Sequence, residues 1–268
     1  MQPNSVVITG ALRGLGFEIG KYYLMNSDLH LCFIDKELDY ESERFLELNY
    51  PKRYSLHIVD LSVVSQVELV AERIISELNP IILINNLGAR NKNNLSEETL
   101  ESFKLMLDTV VVSNFLLSRA FLINARKRDN KKLRIINVGS ILADLVGPQS
   151  PSYHITKGAL QSLTRYFSIE GKKFISDLSV ILVQPGFFVQ DRNRVNFEKI
   201  ENSDYKRTIH HYQQSPYIFS DEDVASSIFH ITMHGSSSMM NGNVIDLDYG
   251  CGNKEQLDSL FTLNFESE

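Results

Sequence analysis

The stretch SVVITGALRGLGFEIGKYYLMN, residues 5–26, indicates the fold of this chain most clearly. It begins with a short apolar run rich in β-branched residues, passes through a glycine-rich turn, and continues into a longer amphipathic segment. Glycines let such a turn bend tightly and let a phosphate group approach the amides that begin the following helix, where the helix dipole is positive. The stretch therefore predicts a strand, an anion-binding turn and a helix in direct succession.

The rest of the chain repeats this alternation of short apolar runs and longer amphipathic segments. Strands are predicted at residues 5–9, 29–35, 54–59, 81–85, 133–138, 178–184 and 243–247, and helices at 14–26, 40–48, 63–78, 97–127, 152–172 and 221–234. Several of the strands are apolar throughout, which is typical of a parallel sheet covered on both faces. The pattern predicts an α/β fold: a Rossmann-type, doubly wound sheet of about seven parallel strands with helices on both faces, in one domain over residues 1–268.

The composition is that of a globular, mildly acidic protein. Hydrophobic residues make up 43% of the 268, and 27 Lys and Arg face 33 Asp and Glu, for a net charge of −6. Sequence-independent nucleic-acid binding needs a basic face, so no nucleic-acid partner is expected. Two distant cysteines, the lack of a signal peptide, and the lack of a window approaching the roughly 18 apolar residues of a membrane span predict a soluble, cytoplasmic protein.

Asp35 ends the second predicted strand and follows the glycine-rich turn by one helix. An acid in this position can accept both hydroxyls of an adenosine ribose, while its charge repels a 2′-phosphate. A strand-end cap is the structural alternative. Arg13 and Lys36 lie beside the same place and could attract the phosphate, so the residues favour NAD(H) over NADP(H) and leave both open.

The spacing Gly10-x-x-x-Gly14-x-Gly16 resembles that of the short-chain dehydrogenase/reductase family, in its single-domain subtype, which includes 3-oxoacyl-carrier-protein reductases. The resemblance extends from residue 6 to residue 250. It includes Asn85-Asn86-Leu87-Gly88 after the fourth strand, Pro185-Gly186 after the sixth, and Asp248-Tyr249-Gly250 near the end of the chain. The resemblance implies a cofactor site formed by Gly10, Arg13, Gly14, Leu15, Gly16, Asp35, Asp60, Leu61, Asn86, Gly88, Tyr153, Lys157, Pro185, Gly186 and Phe188.

A tyrosine and a lysine, Tyr153 and Lys157, stand four residues apart and so share one face of a predicted helix. Ser140 ends the fifth predicted strand, and strand carboxyl ends are where this fold binds ligands. Carbonyl reduction needs a proton donor and alcohol oxidation needs a base, and a nearby ammonium favours the phenolate of a tyrosine. The resemblance implies that Ser140 holds the substrate oxygen, that Asn114 supports a water relay, and that Lys157 also binds the nicotinamide ribose.

These residues predict an NAD(P)-dependent oxidoreductase that interconverts a secondary alcohol and a ketone or aldehyde of small size, with Tyr153 as the acid/base. A nicotinamide-binding regulatory or scaffold protein without turnover is the alternative. A sugar-nucleotide epimerase or dehydratase is disfavoured, because that branch carries an additional C-terminal domain. No metal is expected, since His210-His211 has no third ligand at a credible spacing.

Two further features concern the substrate and the assembly. Residues 187–217 lack a clear period and are more polar than their surroundings, which predicts a substrate loop. The helices predicted at 97–127 and 152–172 carry apolar residues on more than one face. Because the family pairs these two helices between subunits, we expect a homo-oligomer, a tetramer or a dimer.

Overall fold

Residues 2–89, 91, 93–128, 132–144, 150–186 and 220–248 are described by the structure, a computed structural model. Their strands form one sheet: β1 (Asn4–Thr9), β2 (His30–Asp35), β3 (Tyr54–Ile58), β4 (Asn79–Asn85), β5 (Lys132–Val138), β6 (Asp177–Pro185) and β7 (Val244–Leu247). The strand order is β3-β2-β1-β4-β5-β6-β7, and neighbouring strands run parallel. The predicted doubly wound parallel sheet is confirmed.

Helices connect the strands. They are α1 (Gly14–Asn26), α2 (Tyr40–Asn49), α3 (Val64–Glu77), α4 (Leu100–Lys127), α5 (Pro151–Glu170), α6 (Asp221–His234) and α7 (Ser237–Met240). The predicted bounds of α1 and α6 agree with the structure. The start predicted for α4 at residue 97 is wrong, because the Thr99 side chain caps the helix by accepting a hydrogen bond from the backbone of Ser102.

Apolar side chains pack on both faces of the sheet. Val6 and Ile8 of β1 point into a core shared with α1 and α6, whereas Val7, between them, points into the core shared with α3, α4 and α5. All three side chains are fully buried, and burying an aliphatic side chain of this size stabilises the fold by about 1.5–3 kcal/mol. The two cores hold the strands in place and leave their carboxyl ends aligned at one edge.

Helix α4 departs from α-helical geometry near its middle. Residues Leu107–Val112 form a π-helical segment, after which the Ser113 amide donates to the carbonyl of Asp108, five residues earlier. Such segments inside α-helices are frequent at functional sites, because the wider turn shifts the side chains that follow it. In this chain the segment is followed closely by Asn114.

The same helix bears on the expectation about membranes. Residues Leu100–Lys127 are long enough and apolar enough to cross a membrane, so the expectation that no stretch approaches such a span is wrong. Half of the apolar window is buried inside the protein. Leu117, Phe121 and Leu122 pack in the core against the sheet, and core helices of α/β folds have this composition. Packing in the core thus accounts for the apolar side chains on the buried face of α4.

Candidate functional site

Several of the predicted site residues follow the carboxyl ends of the parallel strands. The strand order reverses between β1 and β4, so the connections leaving their carboxyl ends diverge and form a crevice. The glycine-rich turn follows β1, Asn86 and Gly88 follow β4, Ser140 follows β5, and Gly186 follows β6. Gly186 is held to the edge of the sheet because its amide donates to the carbonyl of Leu247 over 2.8 Å.

The glycine-rich turn has the backbone that its sequence predicts. Gly10 and Gly14 adopt positive φ angles of 60° and 53°, a region in which other residues are strained. A Cβ on Gly16 would lie 2.2 Å from the carbonyl oxygen of Gly10, so α1 can approach the turn only without a side chain there. Arg13 precedes α1 and makes no side-chain capping bond, and Leu15 is buried in the first turn. The leading amides of α1 can therefore serve an anion.

Asn86 connects the end of β4 to this turn. Its Nδ2 donates to the carbonyl oxygens of Thr9 and Gly10, each over 3.0 Å. The Asn86 backbone amide also donates to Oγ1 of Thr9 over 3.1 Å. The side chain predicted to bind cofactor therefore also fixes the shape of the turn.

Asp35 and Asp60, two acids of the predicted cofactor site, differ in their exposure to solvent. Asp35 is 9% exposed, and its Oδ2 accepts from the Leu12 amide over 3.0 Å. It is therefore both a strand-end cap and a candidate ribose acceptor. Asp60 is exposed, and its carboxylate accepts from the hydroxyl and the amide of Ser62, which lowers its pKa. Leu61, next to it, is buried in the core.

Glu37 is a charged residue of this region that the sequence analysis did not single out. Its Oε2 lies 3.0 Å from a guanidinium nitrogen of Arg13, and its Oε1 lies 3.7 Å from Nζ of Lys36. The hydrogen bond to Glu37 is the main reason that the pKa of Arg13 is raised. The signal available in the sequence is proximity alone, because Glu37 stands two residues beyond Asp35, just past the end of β2.

Lys157 is the most deeply buried cation of the site, with 3% of its surface exposed. Its Nζ donates to the carbonyl oxygen of Val138 over 2.7 Å and lies 5.6 Å from the ring centroid of Tyr153. Burial lowers the pKa of the ammonium to about 8. A Cβ on Gly88 would lie 3.4 Å from this Nζ, so the missing side chain leaves room beside the ammonium.

Ser140 lies at the start of a 3₁₀ turn, Ile141–Ala143, that faces α5. Its Oγ accepts a hydrogen bond from the Leu142 amide over 3.2 Å. The turn is held at its far end by Asp144, whose carboxylate accepts from the Gln184 side chain over 2.8 Å and from the Gln161 side chain over 2.9 Å. The sequence does not predict this network, because its members meet only after the strands and helices have packed.

Tyr153 lies in the first turn of α5, and its half-buried ring packs against Met106, Val110, Leu160 and Leu182. The helix is preceded by Ser150 in a left-handed conformation with φ of 67°. The Ser150 amide donates to the carbonyl of Asn93 over 2.9 Å, and its hydroxyl donates to the carbonyl of Asn91. The segment after β4 therefore positions the helix that carries Tyr153.

Asn114 follows the π-helical segment of α4 and is 1% exposed. Neither its Nδ2 nor its Oδ1 has a hydrogen-bond partner within the described ranges. Buried amides are nearly always hydrogen-bonded, to protein or to ordered water. The orphaned amide is consistent with the water relay that the family resemblance implies.

Some predicted features lie outside the described residues. They are Phe188, the loop at 187–217 with His210-His211, and residues 249–250 of the C-terminal motif. Within the described part of the chain, no group of three or more His, Cys, Asp or Glu side chains could hold a metal ion. The roles of the predicted site residues stay predictions, with the placements given above.

Comparisons with known proteins agree with this geometry. A family model described as short chain dehydrogenase matches residues 4–201. The chain is 25% identical over 256 residues to 2-dehydro-3-deoxy-D-gluconate 5-dehydrogenase of Formosa agariphila, and the match covers 91% of this chain and 90% of that protein.

Solved structures have the same fold. ElxO with NADP bound superimposes with a TM-score of 0.78 at 23% identity, covering 93% of this chain and 98% of that one. A 4-hydroxyisoleucine dehydrogenase complexed with NADH superimposes with a TM-score of 0.80, also at 23% identity, covering 91% of this chain and 97% of that one. Identities this low establish a shared architecture and leave the substrate undetermined.

Proposed function

The chain belongs to the short-chain dehydrogenase family, and from that membership we propose that it is an NAD(P)-dependent oxidoreductase. It interconverts a secondary alcohol and a ketone or aldehyde, with Tyr153 as the acid/base. The observation that carries the proposal is the placement of Lys157, a buried ammonium 5.6 Å from the Tyr153 ring. A buried cation beside a phenol is the arrangement that favours the phenolate near neutral pH.

The residues present fit a nicotinamide dinucleotide. A pyrophosphate would be held by the amides of the glycine-rich turn and the start of α1, which pack so closely that no Cβ fits at Gly16. Asp35 would accept the adenosine ribose hydroxyls, and Lys157, beside Gly88, would bind the ribose next to the nicotinamide. The similar structures of ElxO and 4-hydroxyisoleucine dehydrogenase hold NADP and NADH respectively, which supports either cofactor. We propose NAD(H) as the preferred cofactor, because the charge of Asp35 would repel the 2′-phosphate of NADP(H).

Three side chains of the chain carry the proton chemistry, while the bound nicotinamide supplies the hydride transfer. The Tyr153 hydroxyl gives its proton to the substrate oxygen in reduction, and the phenolate takes it back in oxidation. Ser140 uses its Oγ as an acceptor for the Leu142 amide, which leaves its own proton to donate to the substrate oxygen. Lys157 stabilises the phenolate, and its lowered pKa eases the return of a proton from solvent.

A chain of water at Asn114 would complete the route between Lys157 and solvent. The amide is buried, and its two polar atoms have no partner in the described part of the chain, so it can bind water on both sides. The π-helical segment before it alters the turn of α4 at this point. Asn114 is therefore assigned a role in supporting the relay.

Turnover separates this proposal from its rival, a nicotinamide-binding scaffold. The absorbance of the reduced nicotinamide is followed with a panel of ketones and secondary alcohols that includes keto sugar acids and hydroxy amino acids. The similar 2-dehydro-3-deoxy-D-gluconate 5-dehydrogenase is named for a keto sugar acid, and the similar 4-hydroxyisoleucine dehydrogenase is named for a hydroxy amino acid. Turnover by the wild type excludes the scaffold, whereas tight binding of the dinucleotide without turnover across the panel would support it.

We propose further that the protein works as a homo-oligomer in the cytoplasm. Side chains of α4 and α5 line an apolar groove of about 390 Å³, formed by Val111, Val112, Phe115, Ser162, Leu163, Tyr166 and Phe167. Phe115 is 41% exposed and Tyr166 is 61% exposed. An exposed apolar face on two adjacent helices fits a second copy of the same face. The buried free thiol of Cys32 supports a reducing compartment.

A further inference from the structure

The charges around the end of β2 are paired in a way that bears on the choice of cofactor. Two cations lie close to Asp35. Lys36 follows it in the chain, and Arg13 belongs to the glycine-rich turn that packs against the end of β2. Both cations form ion pairs with the carboxylate of Glu37: its Oε2 is 3.0 Å from the Arg13 guanidinium, and its Oε1 is 3.7 Å from Nζ of Lys36. Glu37 therefore engages both cations at this corner.

Hydrogen bonds between the glycine-rich turn and the end of β2 set the location of these charges. Asp35 Oδ2 accepts from the Leu12 amide over 3.0 Å, which brings Arg13, the next residue, to the end of β2. A ribose held by Asp35 would thus have Arg13 and Lys36 as neighbours, and a 2′-phosphate on that ribose would need one of them as a counter-ion. Arg is suited to the task, because its planar guanidinium binds phosphate oxygens in a bidentate manner.

We propose that Glu37 determines cofactor specificity by holding Arg13 and Lys36 in ion pairs that a 2′-phosphate would have to break. This proposal rests on the proposed function, since it assumes that the crevice binds a nicotinamide dinucleotide. Asp35 opposes the phosphate directly through its own charge. Glu37 opposes it indirectly by occupying the cations that would otherwise compensate.

The ion pair is exposed, with 47% of the Arg13 side chain and 61% of the Glu37 side chain open to solvent. An exposed pair is weak and is screened by salt. The effect of Glu37 on NADPH affinity is therefore modest and is largest at low ionic strength. Glu37 touches no residue of the proton chemistry, so its influence is confined to binding.

Dissociation constants for NADH and NADPH, measured by nicotinamide fluorescence, test the proposal without any substrate. The variants are Glu37→Gln, Arg13→Gln and the double variant. Glu41→Gln is the matched control, because it removes the same charge from an exposed residue in the first turn of α2. We expect Glu37→Gln to tighten NADPH binding about fivefold at low salt, the fold-change for the upper end of an exposed ion pair. NADH affinity should change less than about twofold in Glu37→Gln and in Glu41→Gln.

The two single variants and the double variant form a double-mutant cycle. The cycle shows whether Arg13 is the cation that the loss of the Glu37 charge sets free to bind the 2′-phosphate. Arg13→Gln should weaken NADPH binding more in the Glu37→Gln background than in the wild type, because only there is the guanidinium free to meet the phosphate. Equal effects of Arg13→Gln in both backgrounds, or equal tightening by Glu37→Gln and Glu41→Gln, would overturn the proposal. Unchanged NADH affinity shows that Glu37→Gln and Glu41→Gln are folded, and circular dichroism shows the same for the two variants that alter Arg13. Failure of every form to bind either dinucleotide would instead overturn the proposed function.

Discussion

Nζ of Lys157 donates a 2.7 Å hydrogen bond to the carbonyl oxygen of Val138, the last residue of β5. The bond links the helix that carries Tyr153 to the carboxyl edge of the sheet. The ammonium is buried there, and burial lowers its pKa from 10.5 to about 8. The group thus combines a fixed position with a pKa near the working range of a proton relay.

The lowered pKa of Lys157 predicts how the stability of the dinucleotide-free protein depends on pH. Between pH 8 and pH 10.5 the unfolded chain retains a proton on this lysine that the folded protein has released. The contribution of this group to stability therefore rises with pH across that interval, by an amount on the order of 3 kcal/mol. Urea unfolding of the wild type and of Lys157→Met at several pH values measures the difference.

The variant Lys172→Met serves as control, because Lys172 is exposed. The stability of the wild type relative to Lys157→Met should increase from pH 8 to pH 10.5, while its stability relative to Lys172→Met stays nearly constant. Parallel curves for the wild type and Lys157→Met would show that the lysine is not buried as described.

Substitution by alanine should affect stability at Asn86 and turnover at Asn114. Asn86→Ala removes hydrogen bonds to the carbonyls of Thr9 and Gly10 and should cost about 1–3 kcal/mol of stability. Asn114→Ala removes an amide without a partner among the described residues, so stability should change by less than about 1 kcal/mol. Turnover of Asn114→Ala should fall by about tenfold or more, because the water relay is broken. Thermal unfolding and steady-state kinetics measure both; full turnover in Asn114→Ala would remove it from the relay.

The choice of cofactor should depend on the charge of Asp35. We expect kcat/KM to favour NADH over NADPH by about tenfold, which corresponds to about 1.4 kcal/mol. Asp35→Asn removes the charge and keeps an oxygen for the Leu12 amide. It should narrow the difference between the two kcat/KM values, chiefly by raising kcat/KM with NADPH. A wild-type kcat/KM higher with NADPH than with NADH at physiological salt would refute this assignment.

The apolar groove on α4 and α5 predicts self-association. Light scattering at micromolar concentration should give the mass of a dimer or tetramer for the wild type. Tyr166→Glu places a charge at a side chain that is 61% exposed, so it should leave the fold intact and shift the mass toward the monomer. A monomeric wild type would contradict the proposed assembly.

The strands and the cofactor turn were predictable because their signals are local. The apolar runs of β1 and β6 and the glycine pattern at Gly10 and Gly14 depend on chain geometry that each segment carries by itself. The spacing of Tyr153 and Lys157 likewise translates directly into one helix face. These features survive packing unchanged.

The remaining features depend on contacts between distant segments. The start of α4 was misplaced because both Ser96 and Thr99 can cap a helix, and only the structure shows that Thr99 does so. The network of Asp144, Gln161 and Gln184 joins a turn, a helix and a strand. The π-helical segment at Leu107–Val112 has no signal in the local sequence that separates it from the rest of an apolar helix.

The comparison of wild type with Tyr153→Phe tests whether the tyrosine hydroxyl transfers the proton. Nicotinamide oxidation is followed with a substrate found in the panel of ketones, and the dissociation constant for NADH is measured on the same samples. We expect Tyr153→Phe to lose turnover to below about one per cent of the wild type, since general acid catalysis contributes about 10²–10⁴-fold, while NADH affinity changes little. Turnover retained at more than a few per cent, with the dinucleotide bound normally, would show that another group transfers the proton.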